Sequence, residues 1–230
     1  YYVANNMALI LCGNFKEKDI IPLLEETFGR IRSGETPMRE PINLADFNPN
    51  RTLKIKIPFP LIKASALVFR GPTPRDRDYT AMQIAMHLLS NSNNSGLIDS
   101  LSSHHHVMYS MAAGADMFMT REVGLLGVAA VPNLPFGSKR KAEHLLWQQI
   151  NKLKSGEFSA ESLEAAKTEY LKQEKLKLEN INSRISLMAG CYARGIDWND
   201  YIRQISTLPQ LQKADIMAAC QHYFGNHYLL

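Results

Sequence analysis

The sequence predicts an α+β fold, a two-layer sandwich in which a largely antiparallel sheet is covered by helices. Strand patterns and helix patterns follow one another in pairs, whereas the strands of a parallel α/β sheet alternate with single helices. The last part of the chain is mostly helical and can supply the second layer. With 230 residues, 45% of them apolar and 21% charged, the chain can bury the core of one large domain, or of one domain and part of another.

The N-terminal part predicts a strand, a helix and a linker. The continuous apolar run Met7–Cys12 is typical of a buried strand, and a Gly-Asn pair follows it as a turn. Apolar residues then recur at helical spacing over Ile20–Phe28, with Gly29 as the predicted stop. Three prolines among scattered polar residues indicate an extended linker over 30–50.

Two strands and a helix follow the linker. Apolar and polar residues alternate over 52–57, as in a strand with one wet face, whereas 64–69 is apolar on both faces and is predicted to lie inside the sheet. A helical stripe of apolar residues then runs over Tyr79–Leu89, with Asp76 or Asp78 as its cap. The polar residues after this helix predict a loop.

The central stretch, 95–132, predicts a short helix and two strands. Leu97, Ile98 and Leu101 share one helical face, and the helix leads directly into an apolar strand. A second apolar strand, 123–131, follows a polar turn.

The remaining residues predict five helices and a last strand. Ser138 and Ser159 are the predicted N-caps of the first two helices, and Gly156 closes the first. The second helix carries pairs of opposite charge, which predicts an exposed, ion-paired face. The pairs are Glu164 with Lys167, Glu169 with Lys172, and Glu174 with Lys177. The later helical patterns cover 181–192, 198–205 and 216–224, and the strand pattern covers 226–230.

Composition argues against several classes of function. The net charge of +4 is spread along the chain, and the one basic cluster, Lys139-Arg140-Lys141, is interpreted as a solvated helix start, so no nucleic acid is expected as a partner. No window approaches the roughly 18 apolar residues of a membrane span. The cysteines Cys12, Cys191 and Cys220 have apolar surroundings and no metal-binding spacing, which predicts small buried hydrophobic residues.

The two ends of the chain carry a similar pattern. Tyr2–Leu9 matches Tyr223–Leu230 in residue type at nearly every position, each with an aromatic residue first and an Asn fourth. The match predicts a repeat. Residues 1–35 would be the closing strand and helix of a preceding unit, 36–50 a linker, and 51–230 a nearly complete α+β domain.

With this repeat, the sequence resembles the pitrilysin/insulinase family of zinc metallopeptidases. Three segments carry the resemblance, and their order and spacing extend over almost the whole chain. They are Tyr1-Tyr2-x-x-Asn5-Asn6-Met7 with Gly13-Asn14-Phe15, then Ser95-Gly96-Leu97 with Tyr109, then Gly156-Glu157-Phe158-Ser159 with Leu163-x-x-Ala166-Lys167.

The resemblance implies paired α+β domains that enclose a peptide chamber. One domain of a pair binds zinc through an inverted H-x-x-E-H helix and a more distant Glu. The partner domain supplies an Arg and, seven positions later, a Tyr that polarise the substrate carbonyl.

This sequence departs from the family at the zinc site. Its nearest string, Arg140-Lys141-Ala142-Glu143-His144, has Arg at the first ligand position and lies in the wrong part of the domain. Glu179 is too near to be the downstream ligand. We therefore predict no metal and no cofactor in this chain, zinc being the cofactor of the parent family, and interpret His144 as a surface residue.

It also departs from the family at the Arg–Tyr pair. Tyr109 matches the family's Tyr, but Ser102 stands where the Arg is expected. A hydroxyl cannot provide the charge-assisted hydrogen bonds of a guanidinium. We therefore predict no catalytic residue here and interpret Tyr109 as a strand residue.

The triplet His104-His105-His106 lies between these two positions. Neighbouring residues of an extended chain point to opposite faces, so at most His104 and His106 share a side, with Asp99 as the nearby carboxylate. The triplet is interpreted as a site of no metal, or of adventitious metal only.

These observations predict a non-catalytic domain of a pitrilysin/insulinase-type metallopeptidase. It would contribute to the peptide-binding chamber or pair with an active zinc-bearing domain or subunit, and peptides are its expected ligands. One alternative is part of an active zinc metalloendopeptidase whose H-x-x-E-H site lies upstream, and another is a structural core-type subunit. Unpaired strands at the chain ends also predict self-association, with a homodimer as the simplest product.

Overall fold

The sheet of this protein has the strand order β2-β3-β1-β4, and every neighbouring pair is antiparallel. The computed structural model describes residues 2–36, 38, 47, 51–55, 63–114 and 121–230. The strands are β1 Ser65–Gly71, β2 Tyr109–Ala113, β3 Gly124–Val131 and β4 Tyr228–Leu229.

Eight α-helices and two short 3₁₀-helices occur in the described part of the chain. The α-helices are α1 Glu17–Phe28, α2 Tyr79–Leu89, α3 Asp99–Ser103, α4 Lys139–Ser155, α5 Ala160–Glu179, α6 Ile181–Arg194, α7 Trp198–Thr207 and α8 Lys213–Tyr223. The 3₁₀-helices are Ala4–Asn6 and Leu208–Gln210. The predicted α+β class is therefore confirmed. None of the helices in these ranges is both long and apolar enough to cross a lipid bilayer.

The core lies between one face of the sheet and helices α2, α4 and α8. The inward residues of β1 and β3 alternate with outward ones, so that Leu67 and Leu126 are fully buried. Phe69 packs edge-to-face on Trp147 of α4, at 5.6 Å between ring centroids, and on Phe224 at 5.0 Å. These rings join the sheet to the helical layer through one aromatic cluster.

The predicted helix ends are mostly confirmed. The Ser138 and Ser159 hydroxyls accept hydrogen bonds from backbone N–H groups in the first turns of α4 and α5. Gly156 closes α4 with a φ of 77°, the left-handed conformation that favours glycine. Asp78 occupies the N-cap position of α2 without a side-chain hydrogen bond, whereas Asp76 accepts from Thr73 N at 2.6 Å and closes the preceding turn.

The predicted strand Met7–Cys12 is wrong. This segment forms no strand, and Met7, Leu9 and Leu11 are exposed. A strand needs a neighbour for its backbone groups and its apolar side chains, and no strand in the described residues lies beside it. The helix after it is confirmed as α1, although α1 contains no buried residue and ends at Gly29 in a right-handed conformation.

The predicted strand over 52–57 is also wrong where it is described. Arg51 makes an isolated parallel bridge with Leu229, and Leu53 N donates to Leu230 O at 2.7 Å, but residues 52–55 form no strand. Three parts of the chain lie outside the described residues. They are residues 56–57 of this predicted strand, most of the predicted linker, and residues 115–120.

Candidate functional site

Tyr109 lies at the start of β2, opposite Val131 of β3. The backbone N–H of Met108 donates to Val131 O at 2.8 Å, which fixes the entry to the strand. The Tyr109 side chain is 56% exposed and has no hydrogen bond or ion pair to any residue that the structure describes. Its phenol is therefore free to contact a ligand.

Ser102 lies on α3, and its role is structural. Its hydroxyl donates to Asp99 O at 2.9 Å and lies 3.3 Å from the Ser110 hydroxyl, which donates to Ile98 O at 2.8 Å. Ser110 is a buried residue of β2, whereas its neighbour Tyr109 is exposed. These contacts join α3 to β2. The Ser102 hydroxyl is therefore engaged within the fold, whereas the Tyr109 side chain is exposed to solvent.

The histidine triplet does not form a metal site with Asp99. The buried Asp99 carboxylate accepts hydrogen bonds from Ser90 Oγ at 2.7 Å and from the backbone N–H groups of Asn91 and Gly96, each at 3.0 Å. It fixes the loop before α3 and is not available to an imidazole. The rings of His104 and His106 lie 6.2 Å apart, and His105 between them has a φ of 56°.

The string from Arg140 to His144 does not fit zinc either. Arg140 is exposed on the first turn of α4, and its guanidinium cannot lose a proton to become a ligand. His144 is exposed, with its Nε2 3.1 Å from Gln148 Nε2. Within the described ranges, no three His, Cys, Asp or Glu side chains form a group that could hold a metal ion.

Among the described residues, the side of the sheet away from the helices is open, except at Arg70, whose guanidinium lies 4.9 Å from the centroid of the Phe47 ring. The sequence patterns did not predict this open face. The β2–β3–β1–β4 register aligns mostly apolar residues across it. We call this set the open sheet face, and its members are Ala66, Val68, Arg70, Tyr109, Met111, Leu125, Gly127, Ala129, Val131 and Leu229. All of these are at least partly exposed. The sequence contains no signal for this face, because small residues occur on both faces of β3: Gly124 and Ala130 are buried, whereas Gly127 and Ala129 are partly exposed.

The charged residues of helix α5 differ in part from the prediction. The ion pairs Glu164–Lys167 and Glu174–Lys177 are formed, each at 2.6 Å. However, Lys167 is only 4% exposed and Glu174 only 3% exposed, so the predicted fully exposed face is wrong. Glu169 accepts from the hydroxyl of Ser92, in a loop facing α5, instead of pairing with Lys172.

Helix α5 borders two cavities. The larger is a cleft of about 1100 Å³ between α5 and the loop after α2, and the smaller has a volume of about 160 Å³. Glu174 borders the smaller cavity and accepts from the Tyr201 hydroxyl at 2.5 Å. Cys191 lines the same cavity, and burial raises the pKa of its thiol, against an opposing effect of Arg194. An elevated pKa makes this thiol a poor nucleophile. Cys191 and Cys220 are buried as predicted, whereas Cys12 is partly exposed.

Comparison with known proteins identifies the family. A family model described as "Peptidase M16 inactive domain" matches residues 1–170. This chain belongs to that family. The resemblance to pitrilysin and insulinase is thereby confirmed, and the M16 family name is used below. Among curated proteins, none matches the sequence.

Solved structures confirm the M16 fold. A protease from Helicobacter pylori superposes with a TM-score of 0.81 at 15% identity, covering 94% of this chain and 52% of that one. The inactive peptidase domain of a putative zinc protease from Bordetella parapertussis gives 0.63 at 20% identity, with 72% and 88% covered. Complex III2 from Candida albicans contains a chain that gives 0.72 at 15% identity, with 92% and 50% covered. The chain thus spans about half the length of the first and third of these structures.

Proposed function

We propose that this chain is a non-catalytic M16 domain whose open sheet face forms one wall of a peptide-binding chamber. The observation that carries the proposal is the asymmetry of the sheet. One face is sealed by helices, and the other, in the part of the chain that the structure describes, presents mostly apolar residues to solvent. Such a surface gives an extended peptide contact area without steric obstruction.

The open sheet face also leaves room for a second domain, which would form the opposite wall of the chamber. Ala66, Gly127 and Ala129 project little above the sheet, so a volume remains when another domain covers it. The M16 family match and the double length of the Helicobacter pylori protease chain support a partner of the same fold. The partner would be an active zinc-bearing domain, in the same polypeptide or in a separate subunit. If its H-x-x-E-H helix lies upstream in this polypeptide, the whole protein is a zinc metalloendopeptidase.

We further propose that residues 1–35 complete the sheet of another α+β domain. Met7, Leu9 and Leu11 are exposed at alternate positions, and α1 buries no side chain. Exposed apolar side chains are energetically unfavourable for an isolated segment. A neighbouring domain that packs on residues 1–35 would explain both features. Residues 36–50 would then link this element to the domain formed by 51–230.

Tyr109 is proposed as a peptide contact at the edge of the chamber. Its exposed phenol can donate a hydrogen bond to a peptide carbonyl, but Ser102 provides no cation beside it. We therefore expect Tyr109 to contribute to binding and not to bond cleavage.

Two measurements test the chamber proposal. The purified chain alone should contain no stoichiometric zinc by elemental analysis and should not cleave a quenched fluorescent peptide. One zinc per chain together with turnover would refute a non-catalytic role. The second measurement follows cleavage of the same peptide when the chain is reconstituted with the zinc-bearing domain.

Variants of the open sheet face sharpen the second measurement. Met111→Glu and Ala129→Glu place a charge on the face and should lower kcat/KM about tenfold, since a buried charge without a partner disfavours the bound peptide. Lys175→Glu, on the exposed surface of α5, is the matched control and should leave cleavage unchanged. Equal activity of all three variants, with unchanged thermal unfolding, would contradict a role for this face.

A structural core subunit is a second candidate. It is favoured by the similarity to a chain of Complex III2 from Candida albicans, which covers 92% of this protein. In that case the chain would form a stable complex with partner subunits, and peptides would neither bind to it nor alter the complex. Fluorescence anisotropy of a labelled peptide, with and without the partner, separates the two candidates.

A further inference from the structure

We propose that one end of this protein docks on a membrane surface rich in anionic lipid headgroups. The surface comprises residues 104–108, 133–137 and 139–141, and we call it the basic tip. This inference goes beyond the proposed function and does not depend on it.

The three segments of the basic tip lie together at one end of the sheet. Asn133 Nδ2 donates to His105 O at 2.8 Å, which holds the loop after β3 against the loop before β2. Met108 N bonds to Val131 O two residues before Asn133. Ser138 then caps α4, so that Lys139, Arg140 and Lys141 continue directly from the loop.

Apolar side chains project from this end into solvent. Phe136 is 95% exposed, and Leu134 and Met108 are also exposed large hydrophobic residues. Single exposed apolar residues are common, but these three lie on two loops that touch each other. Together they can enter the interface between headgroups and acyl chains, where aromatic and aliphatic side chains are stabilised.

The charges of the basic tip are all positive. The sequence has no Asp or Glu over 100–114 or over 123–142, and Glu143 is the nearest acid on α4. Lys139, Arg140 and Lys141 occupy the first turn of α4, where the helix dipole disfavours cations. They make no ion pair with any described residue. Their charge is therefore available to an external anion.

The shape of the basic tip favours a lipid surface over an acidic protein or a nucleic acid. The residues of the basic tip line neither of the two cavities that border α5. The tip instead offers projecting side chains, with Phe136 95% exposed. A bilayer interface accepts projecting apolar groups and neutralises neighbouring cations at the same time.

Co-sedimentation of the full chain with vesicles tests the proposal. Vesicles of phosphatidylglycerol mixed equally with phosphatidylcholine should bind the chain, and vesicles of phosphatidylcholine alone should not. Replacing Lys139, Arg140 and Lys141 together by Ala should weaken binding about a hundredfold, because each cation near an anionic surface contributes roughly a factor of five. Phe136→Ser should weaken it about tenfold. Added salt should weaken binding of the parent chain.

Two control variants match these changes elsewhere on the surface. Lys16, Lys18 and Arg30 are exposed and together carry the same charge, and Tyr2 is an aromatic residue that is 89% exposed. Replacing the three cations by Ala, or Tyr2 by Ser, should leave vesicle binding unchanged. Thermal unfolding of each variant verifies that the fold is intact.

Three outcomes would overturn the proposal. The first is equal binding to neutral and anionic vesicles, and the second is an equal loss of binding in the tip variants and their controls. The third is tighter binding of the tip to poly-glutamate or to duplex DNA than to vesicles, which would assign the surface to an acidic protein or to a nucleic acid.

Discussion

The two ends of this chain share a sequence pattern and differ in structure. At the C-terminal end, Tyr223–Leu230 closes α8 and adds β4 to the edge of β1, with Phe224 fully buried. At the N-terminal end, Tyr2–Leu9 forms a 3₁₀-turn followed by exposed backbone without a strand. Asn5 Nδ2 instead donates a hydrogen bond to Gly34 O at 2.7 Å. The difference teaches that an apolar pattern becomes a strand only when a strand with unpaired groups lies beside it.

The largest expected difference between the two ends concerns their second positions, Phe224 and Val3. Phe224→Ala should lower the free energy of unfolding by about 3–5 kcal/mol, because it empties the fully buried space against Phe69. Val3→Ala should change it by less than about 1 kcal/mol, since Val3 is only partly buried. Urea unfolding followed by the fluorescence of Trp147, which contacts the same cluster, measures both. Equal losses would show that the N-terminal end is as well packed as the C-terminal one.

A smaller difference is expected at the strand positions Tyr228 and Met7. The Tyr228 ring lies 5.1 Å from Trp147 and 5.7 Å from Phe69. Tyr228→Ala should therefore lower the free energy of unfolding by about 1.5–3 kcal/mol. Met7→Ala should stay within about 0.5 kcal/mol, because Met7 is exposed. The same urea titration applies, and a large loss from Met7→Ala would mean that this segment is paired in solution.

The unpaired segment at the N-terminal end should also promote self-association. We expect light scattering to detect dimers or larger species at high protein concentration, because exposed apolar segments with free backbone groups pair with other chains. Leu9→Lys should shift the population towards monomer. Leu176→Lys is the matched control, since Leu9 and Leu176 are equally exposed, and it should have no effect. Only monomer in the parent chain would contradict this prediction.

The smallest expected effect is a pH dependence at the first positions of the pattern, Tyr223 and Tyr2. Burial, with further effects of Asp76 and Asp78, raises the pKa of Tyr223 from 10.0 to about 12. The folded state therefore holds this proton more tightly than the unfolded chain does. The resulting stability is complete below pH 10.0 and is lost as the pH rises towards about 12.

Tyr223→Phe tests this pH dependence. The variant should show a smaller loss of stability over the alkaline range, measured by urea unfolding at several pH values. Tyr2→Phe should leave the loss unchanged, because Tyr2 is almost fully exposed. Tyrosinate absorbance gives an independent titration of the phenol. An alkaline loss that is the same in both variants would assign the effect to another group.

Local features of the chain were predicted well from the sequence. The caps of α4 and α5 depend on Ser138, Ser159 and Gly156, whose side chains or conformational freedom act within one helical turn. The apolar run that forms β1 and the helical stripe of α2 were also found, because their periodicity is strong. The order of these elements was enough to indicate the α+β class, whereas the family was indicated by the resemblance of three residue segments.

Features that depend on neighbours distant in sequence were predicted poorly. Glu174 looks like one half of an exposed pair along α5, but the approach of α7 buries it beside Tyr201. Ser102 and Tyr109 are seven positions apart, yet one joins α3 to β2 and the other faces solvent. The open sheet face became visible only when the register of the four strands was known.

The sequence by itself determined the α-helices, their capped ends and the strands of strong periodicity, because capping and periodicity act within one segment. Tertiary structure alone decided which of the two similar end segments pairs as a strand and which charges of α5 are buried. It also decided which sheet face remains open. Pairing and burial depend on which surfaces meet, and no periodicity within one segment contains that information.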